Sequence, residues 1–330
     1  MKIKKPTLIS GIRPTGRLHL GNYLGALKHF VELQNSGKYQ YYFFIADLHS
    51  LNADFNPKQK KKEILNLLAD FLATGLSPTK STIFIQSQIP AHTELANILT
   101  NIAYVGELKR MTQFKELSKN QPKNINAGLF VYPTLMAADI ILYDAKFVPV
   151  GEDQVQHLEI ARELARRFNN RFGKTFTEPQ PLLTKTPRIM SLDNPKKKMS
   201  KSQPHGCIFI DDLPEDIEAK VMVAVTDSGR EVKYNPKKKP GISNLLEIYS
   251  ALSDKSIKQL EKQFANKGYG DFKKATAKLI ASHFASYRNK KTVLLKNSSK
   301  LTIIARKGSK RASKVAKEKM KVVRKKLGLI

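Results

Sequence analysis

Four short apolar runs constrain the fold of this chain more than any other feature: Leu8-Ile9, Tyr41 to Ile45, Ile83-Phe84-Ile85 and Phe147 to Val150. Each is too short for a helix and reads as a buried strand. Helical patterns lie between them. One follows Leu20. A second opens at Pro57 behind Asn56, a proline at the first helical position after a capping residue, and carries Ile64, Leu67, Leu68, Phe71 and Leu72 at helical spacing. A third is expected from Tyr132-Pro133 and a fourth from Val155. Strands alternating with helices predict an α/β chain with a doubly wound parallel sheet. In such sheets ligands bind beyond the carboxyl ends of the strands, so functional motifs belong just after the apolar runs.

Thr184 to Gly206 breaks the pattern. It is rich in Pro, Lys and Ser and reads as a mobile surface loop. Beyond it only helices are expected, over 214–225, 245–252, 256–264 and 272–287, with a domain boundary near Cys207. A last helix over 312–327 aligns Ala312, Ala316, Met320, Val323 and Leu327 on one stripe, with lysines largely elsewhere, so its apolar side must dock on something.

Composition narrows the function. The 330 residues include 58 Lys+Arg and 28 Asp+Glu, a formal charge of +30, and 41% hydrophobic residues, enough for a proper core. A single cysteine, Cys207, excludes a disulfide framework and a multi-thiolate zinc site and suits a reducing compartment. The basic start, Met1 to Pro6, leads into no apolar signal core, and no run reaches the roughly 18 apolar residues of a membrane span. A cytoplasmic protein is expected, without membrane association. From Arg288 to Ile330 there are sixteen basic residues and one acidic residue, Glu318, so half of the net charge sits in the tail. That segregation points to a polyanionic partner such as nucleic acid.

Two motifs carry the chemistry. Gly11-Ile12-Arg13-Pro14-Thr15-Gly16-Arg17-Leu18-His19-Leu20-Gly21-Asn22 follows the first strand and enters the first helix. Gly11 and Gly16 permit tight turns, Gly21 allows close approach of a ligand, and the helix start offers N–H groups to phosphate. Arg13, His19 and Asn22 add donors. No Gly-Lys-Ser/Thr follows, so this is not a Walker loop. The second motif, Lys198-Met199-Ser200-Lys201-Ser202, places two lysines three apart in the loop, suited to clamping a polyphosphate.

Together the two motifs resemble the signature of class I aminoacyl-tRNA synthetases, with Asn22 where the family usually has a second histidine. Further segments resemble the tryptophanyl branch of bacterial type: Ala46 to His49, Gly106 to Lys115, Tyr132 to Asp139, Gly151 to His157, and Pro240 to Leu246. They span residues 9 to about 250 in the family's order. The resemblance implies a Rossmann-like catalytic domain over 1–206 that includes the signature loop 190–206. It also implies an α-helical tRNA-side domain over 207–290 and a basic helical tail over 291–330, which could bind tRNA or pack back on the catalytic domain.

It further implies ATP-dependent activation of L-tryptophan and transfer to tRNA(Trp) by a homodimer. Mg²⁺ would be carried with ATP rather than by protein ligands alone. By the same resemblance, His19, Asn22, Lys198 and Lys201 are catalytic. Arg13, Pro14, Thr15, Gly21, Asn22, Gly151, Glu152, Asp153, Ile189 and Lys198 to Ser202 (with Met199 and Ser200) line the ATP site. His49, Tyr132 and Gln154 hold the substrate's ammonium and carboxylate.

Tyr132, Met136 and Asp139 share one helix face. Asp139, acceptor-only when ionised, could take an indole N–H or a phenol hydroxyl. The tyrosyl branch typically has glutamine in place of Met136 and tyrosine in place of Ile9. The apolar pair here suits a bicyclic ring, with Val148 and Val150 as candidate walls. A tyrosyl enzyme remains the nearest alternative, and a non-catalytic basic nucleic-acid-binding protein the alternative of a different class.

Overall fold

The computed structural model describes residues 5–52, 54–112, 114, 125–151, 154–183, 187–201 and 203–329. Five parallel strands form one sheet: β1 (Thr7–Ile12), β2 (Gln40–Ile45), β3 (Ser81–Ile85), β4 (Ala145–Val150) and β5 (Gln180–Leu183). Their order is β3-β2-β1-β4-β5 and every pairing is parallel. The chain winds outward from β1 in both directions, which makes the crevice between the carboxyl ends of β1 and β4 the switch point. The alternation in the sequence thus yields the expected doubly wound, Rossmann-like sheet. The strand β5 is the exception. Its Gln-Pro start and half-exposed edge position give it no apolar run to recognise.

The helices are α1 (Leu20–Asn22), continued by a π-helical turn (Tyr23–Leu27) into α2 (Lys28–Ser36), then α3 (Pro57–Ala73), α4 (Ala91–Thr100), α5 (Val105–Arg110), α6 (Ala127–Ile141) and α7 (Val155–Phe172). After the signature loop come α8 (Pro214–Met222), α9 (Pro240–Ser253), α10 (Ile257–Gln263), α11 (Tyr269–His283), α12 (Ala285–Lys296) and α13 (Ser298–Leu327). The Asn56 side chain accepts from the Lys58 N–H at 3.0 Å at the start of α3, a cap of about 1 kcal/mol. Helix α6 begins five residues before Tyr132. Asn126 accepts from the Leu129 N–H at 2.9 Å, and Pro133 lies inside the helix rather than at its first turn.

The middles of β1 to β4 are largely apolar because both faces of the sheet are covered. Leu8, Phe43 and Ile83 face one core with Leu27, Leu68 and Phe71. Ile9, Tyr42 and Phe84 face the other with Leu95, Ile141 and Leu158. The first core continues without a break into Ile217, Ile242, Phe272 and Ile280 of the C-terminal helices, and Cys207 is fully buried within it. The segment after the signature loop returns to the first motif. The Leu20 N–H donates to the Ile208 carbonyl at 2.9 Å, and Ile210 N–H to Leu18 carbonyl at 3.0 Å.

Helix α13 starts fourteen residues earlier than its apolar stripe announces and crosses the outer edge of β3. Leu301 and Ala305 enter the first core, while Ala312, Ala316, Met320 and Val323 enter the second. Gly308 marks the crossing, where a Cβ would stand 1.7 Å from the Ile83 carbonyl oxygen. Ser309 donates to Gln88 at 2.6 Å, Arg311 to the Pro78 carbonyl at 2.9 Å, and Arg324 grips Glu94 with two bonds of 2.6 Å. A single methyl at 308 therefore has no room. Gly308→Ala is expected to cost about 1–3 kcal/mol through displacement of the helix, despite alanine's better helix propensity. Thermal unfolding checks this: a melting temperature several degrees lower is expected. Gly25→Ala, with open space around its Cβ, should leave it unchanged.

Candidate active site

The first motif begins inside β1. Gly11 is strand, not turn, and lies against the Phe44 ring. Gly16 turns the chain with φ +86°. His19 then caps the helix start. Its Nδ1 accepts from the Asn22 N–H at 3.2 Å, while Asn22 Oδ1 accepts from the His19 N–H at 3.2 Å. Gly21 packs on the His19 ring, where a Cβ would come within 3.0 Å of Cε1. Burial, reinforced by the charges of Lys201 and Lys198, holds His19 down at a pKa of about 4. The imidazole is therefore neutral near pH 7. Since Nδ1 accepts, Nε2 carries the proton and is the donor available to a ligand.

The second motif is a hydrogen-bonded hairpin rather than an open loop. The Ser191 N–H donates to the Lys197 carbonyl at 2.8 Å and the Met199 N–H to the Ile189 carbonyl at 3.0 Å. Met199 and Ile189 are buried together, Ile189 above Gly21. Asn244 of α9 holds the Met190 backbone with bonds of 2.8 and 3.0 Å. Lys201 reaches across to Thr15, its ammonium 3.2 Å from the carbonyl and 3.3 Å from the hydroxyl. Burial lowers the Lys201 pKa, opposed by the charge of Asp70. Lys198, Arg13 and Thr15 are exposed and Pro14 is buried. His19, Asn22, Gly21, Thr15, Ile189 and Lys201 thus converge on one cleft. Glu152, Asp153 and Ser202 lie outside the described residues.

Salt bridges fix this cleft from behind. Arg17 binds Asp211 and Asp212, both at 2.7 Å. Lys291 of α12 bridges Asp211 at 2.9 Å and the buried Asp70 at 2.7 Å, and Tyr287 donates to Asp70 at 2.6 Å.

A second cluster sits across the switch point. Asp139 is 1% exposed. His49 Nε2 lies 2.9 Å from Oδ2, His92 Nδ1 2.6 Å from Oδ1, and Gln86 Nε2 reaches both oxygens at 2.8 and 2.9 Å. Burial alone would raise this carboxyl, but the bonds from His49 and His92 outweigh it and hold the pKa below the ordinary value. An ionised carboxylate only accepts, so both histidines donate. His92 Nε2 in turn meets the Tyr143 hydroxyl at 2.8 Å. The Leu48 N–H donates to Gln86 Oε1 at 3.1 Å and fixes the amide's orientation.

Tyr132 is buried, bonded to His157, and burial raises its pKa, with Arg13 opposing. Ile9, Val148 and Val150 are buried together in the second core, with Met136 partly buried against it. Gly151 and Gln154 sit at the end of β4 and the start of α7. The structure places His49 on Asp139, with its ring 6.4 Å from that of Tyr132. Gln86, His92 and Tyr143 were missed from the sequence. Gln86 directly follows the apolar end of β3, the position the strand-end rule singles out.

Residues 1–285 match the family described as tRNA synthetases class I (W and Y). The chain belongs to that family. It is 46% identical, over 98% of both chains, to a tryptophan--tRNA ligase of Caldanaerobacter subterraneus subsp. tengcongensis. Among solved structures it is similar to tryptophanyl-tRNA synthetase from Mycoplasma pneumoniae (35% identity, TM-score 0.87, 98% of each chain). It is also similar to the Campylobacter jejuni synthetase complexed with ADP and tryptophan (34% identity, TM-score 0.84, 98% of this chain and 99% of that one). Among the described residues no helix is long and apolar enough to cross a membrane.

The His19 cap makes a pH prediction. Its folded pKa, about 4, lies below the ordinary value of 6.5, so the unfolded chain binds the extra proton first. Stability is then full above about pH 6.5 and falls as pH drops towards 4, by at most about 1.4 kcal/mol per pH unit from this group. His19→Asn, which can still cap, should lose less between pH 7 and pH 5 in denaturant titrations.

Proposed function

We propose that this synthetase joins L-tryptophan to tRNA(Trp) in two steps at the cleft between the two clusters. The observation that supports this best is the near full-length likeness to tryptophan--tRNA ligases in a chain whose two signature motifs meet at His19, Thr15 and Lys201. The tryptophan carboxylate attacks the α-phosphorus of ATP in line and pyrophosphate leaves. The acyl group then passes to a ribose hydroxyl of the tRNA's terminal adenosine. No side chain forms a covalent bond, so catalysis is positioning and charge stabilisation.

The neutral His19 donates from Nε2 towards the nucleotide, beside Asn22. Arg13, Pro14, Thr15, Gly21, Gly151, Glu152, Asp153, Ile189, Met199, Ser200 and Ser202 line the ATP site. Lys198 and Lys201 bind the departing pyrophosphate, Lys201 exchanging its Thr15 contacts for phosphate. Mg²⁺ supplies charge neutralisation on the triphosphate. Lys198, Lys201 and Arg13 make the cleft cationic, which suits a triphosphate that brings its own Mg²⁺.

The indole lies against Ile9, Met136, Val148 and Val150, with its N–H directed at Asp139. Three protein donors, His49, His92 and Gln86, already surround that carboxylate, so the indole takes the place of His49, the more exposed of the two histidines. His49 then joins Tyr132 and Gln154 around the ammonium and carboxylate. The enzyme works as a cytoplasmic homodimer.

ATP–pyrophosphate exchange tests this reading. Tryptophan should support exchange, with tyrosine at about a hundredth of that rate or less. Equal rates, or none with tryptophan, would refute it. Lys201→Ala should lower the exchange rate about a hundredfold, with tryptophan affinity changed little. Asp139→Asn replaces one of the acceptor oxygens with an amide donor that faces Gln86 and a histidine, themselves donors. It should abolish tryptophan-dependent exchange and lower stability by about 1–3 kcal/mol.

A further inference from the structure

We propose that the outward side of α13 is a binding track for the sugar–phosphate backbone of the tRNA substrate. This rests on the reading of the chain as a tRNA-charging enzyme and adds a surface that the chemistry of the cleft does not require. Lys307, Lys310, Lys314, Lys317 and Lys321 are all exposed and spaced three or four residues apart. At 100° per residue they fall within an arc of about 80°. Ala305, Ala312, Ala316 and Val323, which bury the helix on the sheet edge, lie on the opposite side. The helix is thus docked by one face, and the lysines contribute nothing to that docking. The residues that do tie it down through charge, Lys319 to Asp144 and Arg324 to Glu94, project from the flanks.

Like charges three and four apart on a helix repel, each pair costing roughly 0.2–0.5 kcal/mol. The only acidic residue of the helix, Glu318, relieves Lys321 alone, at 2.9 Å. Among the described residues Lys307, Lys310, Lys314 and Lys317 have no ion-pair partner. A stripe that weakens its own helix gains only when a polyanion lies along it. Its spacing is of the same order as a phosphate strand's: a lysine recurs about every 5 Å of axis, against roughly one phosphate per 3.4 Å along one strand of a duplex. With Lys325 the stripe runs about 27 Å from Lys307. The helix that carries these lysines is fixed at Gly308 and by Arg324.

The test is the full chain carrying Lys307→Gln, Lys310→Gln, Lys314→Gln and Lys317→Gln. The expected result is a KM for tRNA raised about tenfold or more and a log–log salt slope of tRNA binding reduced by about three, one for nearly each lost phosphate contact. Tryptophan-dependent ATP–pyrophosphate exchange should stay within about twofold of the unmodified chain, and the four matching lysine-to-arginine changes should preserve tRNA binding. Unchanged tRNA affinity and salt slope would overturn the proposal. So would loss of binding to anionic phospholipid vesicles with tRNA charging intact. If the glutamine variant also loses exchange it is misfolded, and the double variant Lys310→Gln, Lys317→Gln then decides on the same two readouts. Absence of tryptophan-dependent exchange in the unmodified chain would count against the enzymatic reading instead, since tRNA retention by the stripe is measured without catalysis.

Discussion

Two backbone hydrogen bonds between Leu18–Leu20 and Ile208–Ile210 hold the active site together. They join segments about 190 residues apart in sequence, and each bond is worth only about 1 kcal/mol net. Their effect is positional. With that pairing in place, the hairpin carrying Lys198 and Lys201 faces the turn carrying Thr15 and His19, and the cationic edge of the cleft stands opposite its neutral donor. Arg17 secures the same junction through Asp211 and Asp212, and Lys291 extends the hold to α12 and α3. The C-terminal helices are therefore part of the nucleotide site's foundation as well as a neighbouring layer. The uninterrupted core that runs from Phe43 to Phe272 expresses the same fact in apolar terms.

Both buried carboxylates are handled by partnership rather than by exposure. Asp139 has donors on both oxygens, His49, His92 and the shared Gln86 amide, and stays ionised in spite of burial. Asp70 has two partners on one oxygen, and burial raises its pKa in spite of Lys291. The contrast follows the geometry. The first site must present a fixed negative charge beside an apolar slot. The second only has to complete a chain of charges behind the cleft. Removing a partner from either weakens the compensation of a buried charge, most severely at Asp70, which among the described residues has only Lys291 and Tyr287.

Much of this was readable from residue order. Strands β1 to β4 announced themselves because parallel strands covered on two faces carry short unbroken apolar runs, and the helix behind Asn56 and Pro57 because its cap is local. The motifs of the nucleotide cleft were readable because the two together resemble the class I aminoacyl-tRNA synthetase signature, whereas a lysine-rich segment by itself reads as an ordinary surface loop. What escaped notice depends on long-range packing. β5 has no apolar run. The start of α6 was obscured by Pro133, which looks like a first-turn residue but is tolerated inside the helix. Gln86 and His92 carry no local signal that their partner is Asp139, some fifty residues ahead. The hairpin of the signature segment was hidden because its lysines and prolines read as loop, while the bonds that order it run to Ile189 and Asn244.

The covering of β3 by α13 has a consequence for synthesis. Strand β3 is complete when residue 85 leaves the ribosome, but the helix that shields its outer edge is encoded by residues 298–327. At the usual pace of translation, that edge stays open on the nascent chain for roughly 10–40 s. Its unpaired N–H and C=O groups are then available to any other extended segment. The last thirty helical residues thus close the sheet as well as lengthening the molecule. A chain released early would carry an assembled nucleotide fold with an adhesive side.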